Sequence, residues 1–391
     1  MMGVYVKRLE SFDAIAWDRY VFSHPEASLY HLSGWRSVIK EAYGHKCYYL
    51  MAVERNGEGA TNSLSEPRER IVGVLPLVHL KLCFFGSRLI SVPFFDLGGI
   101  LADHGKIAAR LLWEAVKVGQ DLRAKNIELR HEKELPFVAS DGPFPWLALG
   151  ASDAESVTSA RHELEPEDIM FQTRSHKTRM ILGLPESSAI LMKSFKSKLR
   201  SQIRKPVKEG LISRVGGREL LDDFYDVFST NMRDLGSPVH SKGLVRKVLK
   251  VFSGSTRIVM VYRERQPVAC SLVIGFNEVL ENPWASALRE YSRFSPNMLL
   301  YWTMLEYACD NGYRYFDFGR SSPDEGTFKF KEQWGAVPNP LHWHYISLNG
   351  SPVGKEGTEK SKFGRAIQYW QKLPVPVTKI IGPMIRRHIS L

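Results

Sequence analysis

Apolar residues recur along this chain with two different periods. Runs such as Cys47 to Glu54 and Val268 to Phe276 are short, apolar and rich in aromatic or β-branched residues. Stretches such as His104 to Ala124 instead carry apolar residues at steps of three and four. The first pattern predicts strands and the second helices. The first half then reads as strands at Val4 to Leu9, Cys47 to Glu54, Ile71 to Leu82, Leu89 to Val92 and Asn126 to Arg130, with helices at Ser11 to Phe22, Gly34 to Ala42 and His104 to Ala124. Asn56 to Arg70 reads as a polar loop and Ala151 to Asp168 as an acidic surface excursion, after which Phe171 to Leu184 holds a strand. The second half repeats the plan. Helices are predicted at Ser188 to Gly210, Leu220 to Arg233 and Lys242 to Phe252, and strands at Arg257 to Tyr262, Val268 to Phe276 and Trp284 to Tyr291. Helix then strand at His104 to Arg130 echoes helix then strand at Pro296 to Phe318, a weak sign of duplication. Alternating strands and helices indicate an α/β (α+β) fold. At 391 residues the chain exceeds the size at which one core usually stops growing, so two domains are expected, 1–184 and 185–391.

Order and spacing agree best between Pro296 and Trp343. Ser295 and Pro296 have the character of an N-cap followed by proline at the first helical position, where a missing N–H costs nothing. Leu299, Trp302, Leu305, Ala308 and Cys309 recur at helical steps until Gly312 supplies the stop. Tyr313 to Phe318 is short and aromatic, hence a strand, with Asp317 the polar exception. Gly319, Pro323 and Gly326 make the next segment a loop that presents Arg320, Asp324, Lys329 and Lys331 beyond a strand end. Lys329 and Lys331 flank Phe330, and in an extended segment both point the same way. Trp334 and Gly335 close the loop before a last strand, Leu341 to Leu348.

Charge changes the picture in one place. From Phe171 to Arg265 there are 20 Lys or Arg against 8 Asp or Glu, a surplus of 12, which accounts for the whole formal net charge of +11. On the Ser188 to Gly210 helix, Phe195, Leu199, Ile203 and Val207 form one row and Lys196, Arg200, Arg204 and Lys208 the next. A solvated face is one reading. Like charges at four-residue spacing repel, however, and an anionic partner such as phosphate relieves them. No DNA is expected; RNA, a nucleotide-linked or lipid-linked intermediate, or acidic headgroups fit.

At these residues the chain resembles the FemAB family of bacterial acyl-transfer enzymes. The resemblance lies in the helix ending at Asn311-Gly312, then Tyr315-Phe316-Asp317-Phe318-Gly319, then Gly326, then Phe330-Lys331 followed by Trp334-Gly335. Arg200 to Gly210 is similar to the basic helix that opens the family's second domain, and Trp35 with Lys40, and Pro93 to Gly99, are similar to first-domain elements. The subfamily associated with exopolysaccharide clusters and PEP-CTERM protein sorting is the nearest in appearance. The resemblance implies two tandem GNAT-like domains, Lys331 as a site lysine, Asp96 near an acceptor pocket, and Trp35 and Lys40 contacting an acceptor phosphate. It also implies an aminoacyl-tRNA donor, with acyl-CoA less favoured, and no tightly bound cofactor. The expected acceptor is an amine or hydroxyl of a cell-envelope or exopolysaccharide precursor.

Each candidate has a structural alternative. Lys331 as a fixed cation would stabilise an oxyanion, or it pairs with Glu325 or Glu332. Asp96, after two phenylalanines, is a candidate base or a turn cap. Asp317 is a site residue or the buried partner of an arginine. Glu290 and Tyr291, at a strand end, line an acyl channel or pair with Arg289 or Arg293. Glu290 to Pro296 lacks the glycine-rich turn with which acetyl-CoA enzymes cradle pyrophosphate, although Arg293 could reach a phosphate.

Composition excludes several classes. The four cysteines are dispersed with no CxxC pair, which suits reduced structural thiols, and His342 and His344 share a strand face without a third ligand, so no metal site is expected. GxSxG, Walker and GxGxxG motifs are missing. No run approaches a membrane span, so the expectation is a cytoplasmic protein, with the inner membrane face as an alternative placement. The amphipathic tail Val375 to Ile389 is expected to pack on the second domain, with a peripheral membrane contact as its alternative role.

Overall fold

The predicted strands join into one sheet that runs through both halves of the chain. A computed structural model describes residues 3–55, 69–82, 86–135, 142–143, 169–323, 325–349 and 357–390. Val4–Arg8, Lys46–Arg55, Glu69–Leu82, Gly86–Ile90 and Asn126–His131 lie side by side in that order. The sheet continues through Val337–Ser347, Met170–Gly183, Tyr315–Ser321, Val279–Ala287, Gln266–Phe276, Thr256–Arg263 and Leu211–Gly216. Pairing is antiparallel except for Gly86–Ile90 with Asn126–His131 and Val279–Ala287 with Tyr315–Ser321. Val337–Ser347 pairs with Asn126–His131 on one side and Met170–Gly183 on the other, so a strand late in the chain stitches the halves together.

Helices cover the sheet in a way that creates three apolar clusters. Gly105–Asp121 buries Ile107, Leu111, Leu112, Ala115 and Val116 in a cluster built from first-half strands and the end of Val337–Ser347. Pro296–Asp310 and Ser197–Lys208 bury Leu300, Met304, Leu305, Leu199 and Ile203 in a second-half cluster. The third combines Trp35, Tyr30 and Phe95 with Phe224, Val245, Leu272 and Trp343, and so belongs to both halves. Trp35 is fully buried there, its ring centroid 4.4 Å from that of Phe95 and its Nε1–H donating to Leu29 O at 2.9 Å. Trp35→Ala is expected to remove about 3–5 kcal/mol of stability in a urea titration, the usual loss for a buried large aromatic.

Four expectations change. The predicted Ser188 to Gly210 helix is two helices, Ser188–Ser194 and Ser197–Lys208, because Phe195 takes an extended backbone and packs edge-on against Trp302 and Trp334. The strand predicted at Trp284 to Tyr291 starts and ends earlier, as Val279–Ala287, and Arg289–Phe294 is a 3₁₀ turn. Tyr313 precedes its strand, which runs Tyr315–Ser321 and carries Gly319 and Arg320 within it. The Phe-Lys segment is the helix Gly326–Glu332, where residues two apart face different ways, so Lys331 is buried and Lys329 exposed.

The tail forms Val375–Arg386 and packs against Leu221–Asp234. Cys47, Cys270 and Cys309 are unpaired, and burial raises the thiols of all three, Cys47 to about 12 and Cys309 to about 11. Cys83, Asp324, nearly all of the loop predicted at 56–70 and all of the acidic stretch 151–168 lie outside the described residues.

Candidate active site

Parallel strands diverge where a site can open between them. Val279–Ala287 and Tyr315–Ser321 pair over three residues only, the last pair being Glu281 with Asp317. Beyond it both strands continue without pairing to each other. Two carboxylates therefore stand side by side, both buried, at the point of parting. Pairing with Met170–Gly183 also shifts register between Asp317 and Arg320, where Gly319 has φ +75. An added Cβ at Gly319 would lie 3.2 Å from Asn282 O in a left-handed conformation, so glycine is required there.

The carboxylates have different partners. Arg179 Nε and Nη2 donate to Asp317 Oδ2 at 2.9 and 2.7 Å, and Gly319 N–H donates to Asp317 Oδ1 at 2.8 Å. Asp317 is thus fully engaged, and Arg179 extends through Nη1 to Glu132 at 2.8 Å. Among the described residues Glu281 has one hydrogen bond, donated by the hydroxyl of buried Tyr30. Burial, with the neighbouring Asp317 charge second, pushes the Glu281 carboxyl up to about 8, opposed by Arg179. This is the setting of a general base near neutral pH.

Lys331 approaches the same place from the Gly326–Glu332 helix. Its ammonium donates to Gly319 O at 3.0 Å and Arg320 O at 2.8 Å, which leaves one of three protons unassigned. Burial lowers its pKa to about 8, while Asp317 and Asp96 work the other way. No ion pair joins Lys331 to Glu325 or Glu332 among the described residues.

Asp96 reaches the cluster on a strained segment. Val92 and Phe94 have φ of 39° and 82°, unusual for side chains of their kind, and the surroundings hold them there. Arg130 donates to Phe95 O, and Trp343 Nε1 donates to Asp96 O at 3.3 Å. The Asp96 carboxylate meets Arg320 Nη1 at 3.2 Å, and Arg320 lies over the Trp343 ring at 5.3 Å. Lys331, Asp317, Asp96 and Arg320 are thus brought together, as is Glu281, which sequence reasoning missed. Its period-two signal was present, but the polar run Glu281-Asn282-Pro283 reads as an interruption rather than a site.

Other candidates lie elsewhere. Lys196, Arg204, Lys208 and Lys40 are exposed. Arg200 instead donates through Nη1 to Phe195 O and Lys193 O at 3.0 and 3.3 Å, closing the end of the preceding helix. Val207 is 58% exposed and Pro206 is buried in its place. Glu290 is exposed on the 3₁₀ turn, and Tyr291 is half-buried near Phe294. Two surface depressions, one bordered by Phe22, Phe252 and Tyr313 and the other by Gly216, Arg218 and Arg257, include none of the clustered residues. No group of three or more His, Cys, Asp or Glu residues able to hold a metal occurs among the described residues.

Residues 193–332 match the acetyltransferase (GNAT) domain family. The crystal structure of FemX superposes with a TM-score of 0.59 at 14% identity, covering 87% of this chain and 96% of that one. A tandem GNAT protein from the clavulanic acid biosynthesis pathway gives 0.48 at 12% identity, covering 90% and 100%. L-PGS from Bacillus licheniformis gives 0.44 at 12%, covering 82% and 87%. No curated protein matches the chain. The likeness to FemX is one of fold, and the two looser superpositions add nothing to it. Residues 193–332 thus carry the match to a GNAT domain, within a mixed α/β fold shared with FemX.

Proposed function

We propose that this chain is a FemAB-like acyltransferase that moves an aminoacyl group from tRNA to an amine or hydroxyl of a cell-envelope or exopolysaccharide precursor. The observation that carries this reading is the buried Glu281–Asp317 pair, with Lys331 beside it, where the two parallel strands part. In the reaction, the acceptor nitrogen or oxygen attacks the ester carbonyl while ionised Glu281 takes its proton. The carbon–oxygen bond then breaks, and Lys331 gives a proton to the leaving oxygen. Burial first, and then the charge of Asp317, which Arg179 holds in place, raise the Glu281 carboxyl for the first step. The acceptor would enter between the halves, near Asp96, with the boundary near residue 184.

Backbone geometry supports a donor other than CoA. In the turn before Pro296–Asp310, the N–H groups of Tyr291, Ser295 and Met298 are already donated to Leu288 O, Ser292 O and Ser295 O, and Pro296 has none. A pyrophosphate cradle needs such groups free. Acyl-CoA is the second reading, favoured by the match of residues 193–332 to an acetyltransferase domain.

A filter-binding titration against charged tRNA, uncharged tRNA and CoA at two salt concentrations separates the two. Charged tRNA is expected to bind best, in a salt-sensitive manner, and a Lys196, Arg204 and Lys208 triple alanine variant is expected to lose about tenfold or more in affinity at low salt. Arg200 is left in place because it closes a helix end. Binding to CoA alone overturns the aminoacyl reading.

A further inference from the structure

We propose that the C-terminal segment completes an anion site beside the Asp96–Arg320 pair, where Arg386, Arg320 and the Tyr43 hydroxyl receive a phosphate of the acceptor. Only the word acceptor rests on the acyl-transfer reading; the anion site itself does not.

Hydrogen-bond accounting leads to it. Arg386, the last residue of Val375–Arg386, donates through Nε to His240 Nε2 at 3.1 Å. Arginine only donates, so His240 Nε2 carries the lone pair and Nδ1 the proton. That proton goes to the Tyr43 hydroxyl oxygen at 2.9 Å, which also accepts the Ser241 N–H at 3.1 Å. Both lone pairs of the phenol are then occupied. Its own proton is left without an acceptor among the described residues.

Arg386 is similarly unspent. Among the described residues its two terminal nitrogens have no hydrogen-bond or ion-pair partner. Its charged surroundings are themselves cationic. Burial first, opposed by Tyr43, and then the charges of Arg320 and Arg130 lower its pKa to about 10. A half-buried guanidinium with no carboxylate partner among the described residues, facing other cations, is stabilised when an anion joins it.

The segment after Arg386 fastens this group to Tyr43 and Phe94. Arg387 Nη2 donates to Tyr43 O at 2.8 Å, and Phe94 N–H donates to Ser390 O at 2.6 Å. Phe94 packs on His240, with ring centroids 5.1 Å apart, two residues before the Asp96 that holds Arg320. Trp284, 5.3 Å from His240, and Trp343, under Arg320, border the site and report on it.

The test is titration of inorganic pyrophosphate, followed by tryptophan fluorescence and calorimetry, into wild-type protein, Arg386→Ala, Arg386→Gln and Lys379→Ala. Gln keeps a donor towards His240 without the charge, and Lys379, on the same helix as Arg386, pairs with Asp226 of Leu221–Asp234. Both Arg386 variants are expected to bind about tenfold or more weakly and Lys379→Ala as wild type, the loss expected for a charge-assisted contact. Val377, Ile380 and Met384 are exposed along this helix, so a parallel arm uses phosphatidylglycerol and phosphatidylcholine vesicles. Arg386-dependent binding to phosphatidylglycerol alone supports a lipid-borne phosphate, and to pyrophosphate a soluble one. Folded Arg386 variants that bind either probe as wild type does, or wild-type protein that binds neither, overturn the site. Because binding is read without turnover, that failure leaves the acyl-transfer reading standing, whereas pyrophosphate binding by a protein that transfers no acyl group overturns acyl transfer alone.

Discussion

Glu281→Gln lowers the rate of acyl transfer by about a hundred- to ten-thousandfold, the usual contribution of a positioned general base. The expected effect on the pH profile is more diagnostic. Glu281 must be ionised and Lys331 protonated, and both titrate near about 8. Wild-type activity is therefore a narrow bell centred near pH 8, and the Gln variant keeps only the alkaline limb, in what activity remains. Stability carries the same signature. Folding raises the Glu281 pKa from 4.5 to about 8, so within that window the native state holds a proton that the unfolded chain has released. This contribution is fully present below about pH 4.5 and is lost as pH rises towards 8. The Gln variant, still able to accept from Tyr30, removes that decline in a series of urea titrations.

Asp317→Ala is expected to cost about 3–5 kcal/mol of stability, because it takes from the almost fully buried Arg179 the carboxylate that two of its nitrogens donate to, leaving Glu132 as its one ion pair among the described residues. Urea unfolding measures the loss. The gentler Asp317→Asn keeps the shape and removes a charge that raises both Glu281 and Lys331. The surviving bell is expected to move to lower pH on both limbs. A purely structural role for Asp317 would lower the rate through lost protein and leave the bell in place.

How much of this was legible depended on whether local pattern or distant contact set the outcome. Helices such as Gly105–Asp121 and Pro296–Asp310 follow from their apolar periods and from Pro296 and Gly312 at the ends. The break at Phe195 did not, because it depends on Trp302 and Trp334 over a hundred residues away. Lys331 and Asp317 stood out through their motif. Their partners did not: Arg179 lies on a strand from the first half, and Tyr30 is 251 residues from Glu281. Asp96 looked like the base because it follows two phenylalanines, yet Arg320 holds it, and the desolvated carboxylate is Glu281. Arg386 offered no signal at all beyond a basic end to an amphipathic tail.

The most direct test of acyl transfer at this site is a label-transfer assay. Purified protein is given aminoacyl-tRNA or acetyl-CoA labelled in the acyl group, together with a fraction of phosphorylated envelope precursors, and label is counted on the acceptor. Wild-type protein is expected to move label from aminoacyl-tRNA, with Glu281→Gln and Lys331→Ala each about a hundredfold slower or worse. Equal rates in all three proteins would contradict the site, and transfer from neither donor by protein that binds one of them would contradict the acyltransferase account itself.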